Sequence, residues 1–548
     1  MESIGADLSV MKWEPLADNH VAAIREIATE RSYAAGEMVF ELGDPMDRFV
    51  YVLEGELEIA DPYSGGRMVE STLGPTQFFG DLAFLNAGSV GMAPRAVSAT
   101  RTLEAPREAM LTLMGHVPEL SDHILSVFLA RRRRGVEQRD GSIKVIGADR
   151  DPKIQQVASF LSRNRIPFQA FDMADTDRET VAVCSVADHQ PSVLVGKDRR
   201  VDDPTPRKMA QLLGLDLDLD SSHDVDLLIV GGGPAGVAAA VYAGAEGLSA
   251  IVIEDNAIGG QAGTSSRIEN YMGFPTGISG ADLVYRGQIQ AMKFGTRFAM
   301  PRRVVAVVRQ EDGSFCATLD DGEELCARAI LVATGVQYRK LALENREKFE
   351  GAGVYYAATE MEARFCASKP AVIIGGGNSA GQAAMYLARS ASHVHILVRG
   401  DSLADSMSSY LSRRLEADPA ITIHYRSQVR ALHGDDALAQ LTIERDGTQE
   451  AMPCGGLFIM VGAAPNTDWL PDDVQLDDNG FVKTGEIIGQ PSPFRTSSDG
   501  IYAVGDVRSG SVKRVASSVG EGSVVVSAIW QHVANMKDGT TEGAKELA

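Results

Sequence analysis

Through the first 130 residues, short apolar-rich runs alternate with Gly, Asp and Pro turns. Phe49-Val50-Tyr51-Val52-Leu53 and Glu56-Leu57-Glu58-Ile59 are examples, and the pattern predicts a mostly β segment. Leu120, Ile124, Val127 and Phe128 then recur at helical spacing, and the predicted helix ends in Arg131-Arg132-Arg133-Arg134, where cations suit a helix C-terminus. Polar residues 135–142 read as a linker. Over 143–216 the pattern predicts strands at Lys144-Val145-Ile146, Phe168-Gln169-Ala170-Phe171 and Ser192-Val193-Leu194-Val195. Helices are predicted from Ile154 to Asn164 and from Pro206 to Leu213. The acidic tract Asp216 to Asp220 reads as a second linker, and from Asp224 the chain is α/β almost to its end.

Two glycine turns stand 144 residues apart, Gly231-Gly232-Gly233-Pro234-Ala235-Gly236 and Gly375-Gly376-Gly377-Asn378-Ser379-Ala380. Each follows an apolar strand, Leu227–Val230 or Ala371–Ile374, and opens a helix. Glycines there let the backbone turn tightly and approach a pyrophosphate, which sits at the helix N-terminus. Past the first turn, strand Ile251-Val252-Ile253 ends in Glu254, an acceptor for adenosine ribose hydroxyls. The matching position past the second turn is Val398, followed by Arg399, whose guanidinium suits a 2′-phosphate. The chain is thus expected to bind two dinucleotides, with NADPH favoured over NADH at the second site.

A length of 548 residues exceeds one hydrophobic core and predicts three or four domains. The net charge of −22 argues against a nucleic-acid partner. The N-terminus lacks a basic stretch and an apolar stretch, and no apolar run is long enough to cross a bilayer, so neither a signal peptide nor a membrane span is expected. Cys184, Cys316, Cys326, Cys366 and Cys454 are few, odd in number and widely spaced, which predicts a cytoplasmic chain without a disulfide framework. His393 and His395 lie two apart on one face of a predicted strand, with no further ligand in view to complete a metal site.

From about residue 222 to 535 the chain resembles a low-molecular-weight bacterial thioredoxin reductase. The resemblance rests on the two glycine turns, Gly259-Gly260-Gln261, Glu269-Asn270-Tyr271, Ala333-Thr334-Gly335, Gly462 with Pro465-Asn466-Thr467, Gly505-Asp506-Val507 and Arg514-Val515-Ala516. It implies FAD contacts at Gly231, Gly233, Pro234, Ala235, Gly236, Glu254, Gly260, Gln261, Asn270, Thr334, Gly335, Asp506, Arg514, Val515 and Ala516. It implies NAD(P)H contacts at Gly375, Gly377, Asn378, Ser379, Ala380, Arg399 and Gly462, and a homodimer.

Residues 1–135 resemble a cyclic nucleotide-binding domain through Gly36–Phe40, Gly43-Asp44, Gly55-Glu56-Leu57 and Phe79-Gly80-Asp81-Leu82-Ala83, with Asp81 for the ribose and Arg95 for the phosphate. Residues 143–216 resemble a thioredoxin or glutaredoxin fold. Pro191 sits at its cis-proline place, and the active-site turn Ala148-Asp149-Arg150-Asp151 has no cysteine. The whole is a multidomain chain: an N-terminal β-roll (1–139), a thioredoxin-like α/β domain (143–216), and two nested Rossmann-like α/β domains of the thioredoxin reductase type. These are an FAD domain (222–340 and 468–548) and an inserted NAD(P)H domain (341–467).

The family's redox cysteines are missing. Ala357 and Glu360 occupy their positions, and Cys366, six residues on, reads as a core residue. No catalytic side chain is identified. The resemblance therefore implies an FAD oxidoreductase that takes hydride from NAD(P)H and serves an acceptor outside the chain, such as a redox carrier protein. Two alternatives remain open at this point: a thioredoxin-disulfide reductase using displaced cysteines, and a non-enzymatic flavin and cyclic-nucleotide sensor.

Overall fold

The computed structural model describes residues 15–546 except 62–64, 70, 81, 87, 139–142, 148–150, 174–182, 184, 186–189, 196–198, 214, 218–224, 266–267, 269, 339–340, 350–351, 357, 359–362, 364–365, 405–406 and 436. Asp81, Cys184, Ala357, Glu360 and the Ala148–Arg150 turn therefore lie outside the described residues.

The N-terminal part begins with helix α1 (Asp18–Ile27) and strands β1 (Thr29–Tyr33), β2 (Arg48–Glu54), β3 (Leu57–Ile59), β4 (Phe78–Phe79), β5 (Pro94–Ala96) and β6 (Thr100–Pro106). One sheet has the order β1-β6-β2-β4, and β3 pairs with β5. Central β2 is buried on both faces, which is why its run is continuously apolar. Its Phe49 packs in a cluster with Phe78, Phe84 and Phe128, with ring centroids 5.2–6.3 Å apart. Helices α2 (Arg107–His116) and α3 (Pro118–Gln138) close the unit. The arginine run does not end α3: the helix continues to Gln138 through much of the expected linker, since nothing in 131–138 breaks it. Arg131 lies over the Phe78 ring and donates to the Gly80 carbonyl at 3.1 Å.

Next come β7 (Ile143–Ile146), α4 (Pro152–Arg163), β8 (Gln169–Phe171), β9 (Ser192–Val195), β10 (Arg199–Val201) and α5 (Pro206–Leu212). Asp151 caps α4 by accepting from the Lys153 and Ile154 amides, and Pro152 opens it. The sheet order is β10-β9-β7-β8, with β7 and β8 parallel and β9 and β10 antiparallel. Met300–Pro301 is the one cis peptide among the described residues, so the bond before Pro191 is trans, contrary to the expectation for that position.

The third part holds β11 (Val225–Val230), α6 (Pro234–Ala245), β12 (Ala250–Ile253), α7 (Gly280–Lys293), β13 (Arg297–Ala299), β14 (Val304–Arg309), β15 (Phe315–Leu319) and β16 (Glu324–Val332). Its sheet runs β13-β12-β11-β16-β15-β14, parallel from β13 to β16 and antiparallel beyond. Here one expectation fails. Cys316 and Cys326 stand directly opposite on β15 and β16 and form a disulfide. Their ten-residue separation carries no pairing signal by itself, but a hairpin turn centred on Asp320–Gly322 brings them into register.

Ribbon strand β17 (Val336–Tyr338) leads to β18 (Val354–Tyr355), β19 (Pro370–Ile374), α8 (Asn378–Leu387), β20 (His393–Leu397), α9 (Ser409–Ala417) and β21 (Ile421–His424). An antiparallel meander follows, β22 (Ser427–Gly434), β23 (Leu438–Arg445) and β24 (Thr448–Pro453), then β25 (Gly456–Ile459) and β26 (Ala463–Pro465), which pairs with β17. The parallel sheet β18-β25-β19-β20-β21 packs α8 and α9 on one face and the meander on the other. The chain then returns: β27 (Ile501–Ala503) pairs with the end of β16, and α10 (Val515–Glu546) lies on α6. No helix is long and apolar enough to cross a membrane among the described residues.

Polar contacts join the parts. The Asn86 side chain pairs with both the N–H and the carbonyl of Phe298 on edge strand β13, each at 3.2 Å. Asp216 is not a solvated linker residue. Its carboxylate is 0% exposed and bound by Arg302, itself 4% exposed, with Arg207 at 3.4 Å. Arg302 also donates to the Leu217 carbonyl at 3.1 Å and to Asp321 at 3.2 Å. Arg302→Ala strands this carboxylate in the interior, so urea unfolding is expected to show a loss of ~3–5 kcal/mol. A loss below ~1 kcal/mol would show the pair to be dispensable.

Candidate functional site

The first glycine turn sits at the C-terminal end of β11. Gly231 has φ +108°, and a Cβ there would lie 2.4 Å from the Ala333 carbonyl oxygen at the end of β16. A Cβ on Gly236 would lie 1.9 Å from the Gly231 oxygen. Only glycine allows this approach, and the result is a bare backbone cradle at the N-terminus of α6, with Gly233 as its cap and Pro234 in its first turn. Gly260, at φ +52°, rests against Gly233 with room for a Cβ only at 3.1 Å. Ala235, next in the turn, is buried against Gly505, and α10 approaches so closely that a Cβ on Gly522 would meet the Ala235 oxygen at 2.2 Å.

Glu254 ends β12 and is 8% exposed. It accepts from the Gly232 amide at 2.7 Å and from the Asn256 amide at 3.2 Å. Burial, reinforced by neighbouring Asp255, pushes its carboxyl up to about 8. Hydroxyl donors of a ribose would favour its charged form. Asp506 follows Gly505 beside the same turn. Its Oδ1 is buried with no hydrogen-bond partner, and burial raises its pKa. A buried acceptor without a donor is costly. Together with a cradle that any Cβ would fill, it fits a polyhydroxylated dinucleotide such as FAD, whose ribityl hydroxyls supply the donors.

The remaining candidates border this cradle unevenly. Gln261 donates to the Val336 carbonyl, and the Thr334 hydroxyl donates to the Asn466 carbonyl at 3.0 Å, next to Gly335 with φ +59°. Asn270 is exposed, as are Arg514 and Ala516 at the start of α10, while Val515 is half-buried.

The second turn repeats the first. Gly375 has φ +144°, and a Cβ would meet the Met460 oxygen at 2.3 Å. Gly377 caps α8, Ala380 is buried, and Ser379 is exposed at the helix start. The Asn378 Oδ1 accepts from the Ser408 amide at 2.8 Å, and Gly462 turns with φ +91°. Arg399 is exposed and has no partner among the described residues, so its guanidinium is available to a phosphate.

Cys366 is 0% exposed, and Cys454, 1% exposed, has its thiol pushed up to about 12 by burial. Neither has the exposed, thiolate-favouring surroundings of a reactive cysteine. In the N-terminal part, Arg95 faces Glu58 across β3 and β5. It donates to the Glu58 carboxylate and to the Gly65 carbonyl, so a phosphate there competes with Glu58. His424 carries no signal in the sequence. It lies 29 residues from His395 but on the neighbouring strand, with His395 Nδ1 and His424 Nε2 2.9 Å apart. Burial, then Arg445, lowers His424 to about 4. Among the described residues no group of three ligand side chains is placed to hold a metal.

Residues 225–522 match the profile of the pyridine nucleotide-disulphide oxidoreductase family, and residues 30–116 match that of the cyclic nucleotide-binding domain. The thioredoxin reductase of Treponema pallidum (strain Nichols) is 31% identical over 317 residues, 58% of this chain and 99% of that protein. That of Streptomyces clavuligerus is 34% identical over 302 residues, 54% of this chain and 90% of its own length. The crystal structure of Lactococcus lactis thioredoxin reductase (FR conformation) superposes with a TM-score of 0.52 at 28% identity, covering 57% of this chain and 100% of that one.

Gly231→Ala is expected to weaken FAD retention by at least ~10–100-fold, through positive-φ strain and the lost approach to Ala333. Gly375→Ala should keep its flavin and lose NADPH-driven reduction by a similar factor. Flavin absorbance per protein and the rate of anaerobic bleaching check both. Equal effects of the two variants on flavin content would contradict the assignment of separate seats.

Proposed function

The chain belongs to the pyridine nucleotide-disulphide oxidoreductase family and is an NAD(P)H-dependent FAD oxidoreductase, and on that premise we propose that it delivers electrons to an acceptor outside the chain rather than to a disulfide of its own. The observation that carries this reading is the pairing of two glycine cradles with thiols that are buried at Cys366 and Cys454. The sequence supports it, with Ala357 and Glu360 at the positions of the family's redox pair.

FAD, when bound, supplies the two-electron acceptor for the nicotinamide hydride. The chain's own residues hold and orient. Gly231, Gly233 and Gly236 admit the pyrophosphate, Glu254 takes the adenosine ribose, and Asp506 takes the ribityl chain. Gly375, Gly377 and the start of α8 seat the nicotinamide dinucleotide, and Arg399 favours NADPH over NADH. We read 222–340 with 468–548 as the FAD domain and 341–467 as the inserted NAD(P)H domain. The return of β27 to β16 supports that nesting. The strand order β10-β9-β7-β8 supports a thioredoxin-like unit at 143–216, in the role of a spacer or docking surface. The likeness to thioredoxin reductases supports a homodimer. The N-terminal domain would serve as a regulatory module for a cyclic nucleotide, with Arg95 as its phosphate ligand once Glu58 is displaced.

The chemistry of the acceptor follows from the missing relay: a one-electron carrier protein of the ferredoxin or flavodoxin type, a quinone or oxygen. Steady-state NADPH oxidation by the holoenzyme should run at least ~10-fold faster with ferricyanide or a quinone than with oxidised thioredoxin, about 1.4 kcal/mol of preference. Comparable turnover of the thioredoxin disulfide would overturn the proposal.

A further inference from the structure

Cys316 and Cys326 are half-exposed, whereas Cys366 and Cys454 are buried. The bond between them closes a loop that the β15–β16 ladder already closes, through Phe315 opposite Ala327, Ala317 opposite Leu325 and Thr318 opposite Glu324. A cross-link stabilises mainly by closing a loop that is open in the unfolded chain, and least when that loop is short. Opening this one therefore leaves the hairpin in place, with both thiols held opposite each other and ready to re-form the bond. The row of side chains continues to edge strand β14 at Val308, opposite Cys316 and 58% exposed, an apolar step beside the sulfurs. Along β16, Cys326 is six residues from Val332 at the cradle end, roughly 20 Å at about 3.3 Å per residue. That is beyond contact with a flavin seated there, so electrons for this bond come from outside the chain.

We infer that Cys316–Cys326 is a reversible thiol–disulfide exchange site for a dithiol protein. One thiolate of the partner attacks the Cys316 sulfur, which lies nearer the sheet edge, and forms a mixed disulfide. The Cys316–Cys326 bond breaks, and Cys326 leaves as a thiolate that takes a proton from water. The partner's second thiolate then attacks the partner's own sulfur in the mixed disulfide. Cys316 is released and protonated, the partner is oxidised by two electrons to its disulfide, and the Cys316–Cys326 pair is reduced by two.

The test uses the full-length holoenzyme without denaturant, incubated with reduced thioredoxin as a dithiol-protein probe, quenched with N-ethylmaleimide and mapped by peptide mass. Both Cys316 and Cys326 should become alkylated with the flavin spectrum unchanged, at a concentration at least ~10-fold below that needed with dithiothreitol, and diamide should close the bond again. The inference fails if the bond opens only on unfolding, if the pair is already reduced in the isolated protein, or if dithiothreitol opens it and thioredoxin does not. NADPH alone should leave the pair oxidised, and alkylation with NADPH alone would overturn the external route. Cys316→Ala/Cys326→Ala should melt with the parent protein and keep its FAD. A large fall in Tm would make the bond a structural cross-link. Bleaching of the flavin by NADPH in the same sample tests the oxidoreductase reading separately, so the two can fail independently.

Discussion

One backbone constraint recurs in both halves of the nucleotide-binding region, and the rest is arranged around it. At the end of a central parallel strand, the first turn glycine passes so near a neighbouring strand's carbonyl that no side chain fits: Ala333 for Gly231, Met460 for Gly375. The following helix is thereby aimed with its N-terminal amides at the strand end. Everything else at each seat is placed by reference to that turn. Gly260 and Gly505 close on the first turn, Glu254 reaches its amide, and Asp506 waits beside it with an unpaired buried oxygen.

Much of this was legible in the sequence because it is local. A buried strand, a glycine turn and a helix lie within about twenty consecutive residues, and apolar runs such as Leu227–Val230 signal a strand covered on both faces. What escaped depends on pairings between distant segments. Nothing in the spacing of Cys316 and Cys326 reveals that a tight hairpin sets them in register. His424 joins His395 only because β20 and β21 are neighbours. Asp216 reads as one more acid in a solvated tract until Arg302 folds over it. The four arginines at 131–134 carry a helix-end signal, yet the helix continues through them.

The same distant contacts tie the added units to the flavin-binding part. Asn86 of the N-terminal domain pairs with the outermost strand of the sheet that carries the first glycine turn, much as another strand would. The Asp216–Arg302 pair does likewise for the segment 143–216, and the Arg302 amide donates to the Glu254 carbonyl at 2.8 Å. Both added units thus contact residues in or just past β13, the first at the Phe298 backbone and the second at the Arg302 side chain. A ligand in the N-terminal domain would alter the flavin seat only so far as it binds one arrangement of these contacts better than another.

The central claim is that hydride from NADPH stops at the flavin within this chain. Anaerobic titration of the holoenzyme with NADPH, counting electrons taken up per FAD, tests it most directly. The account predicts two, with the flavin as the only internal acceptor. Four would mean that a disulfide of the same chain is reduced through the flavin, and the reading of Ala357 and Glu360 as the end of the relay would be wrong.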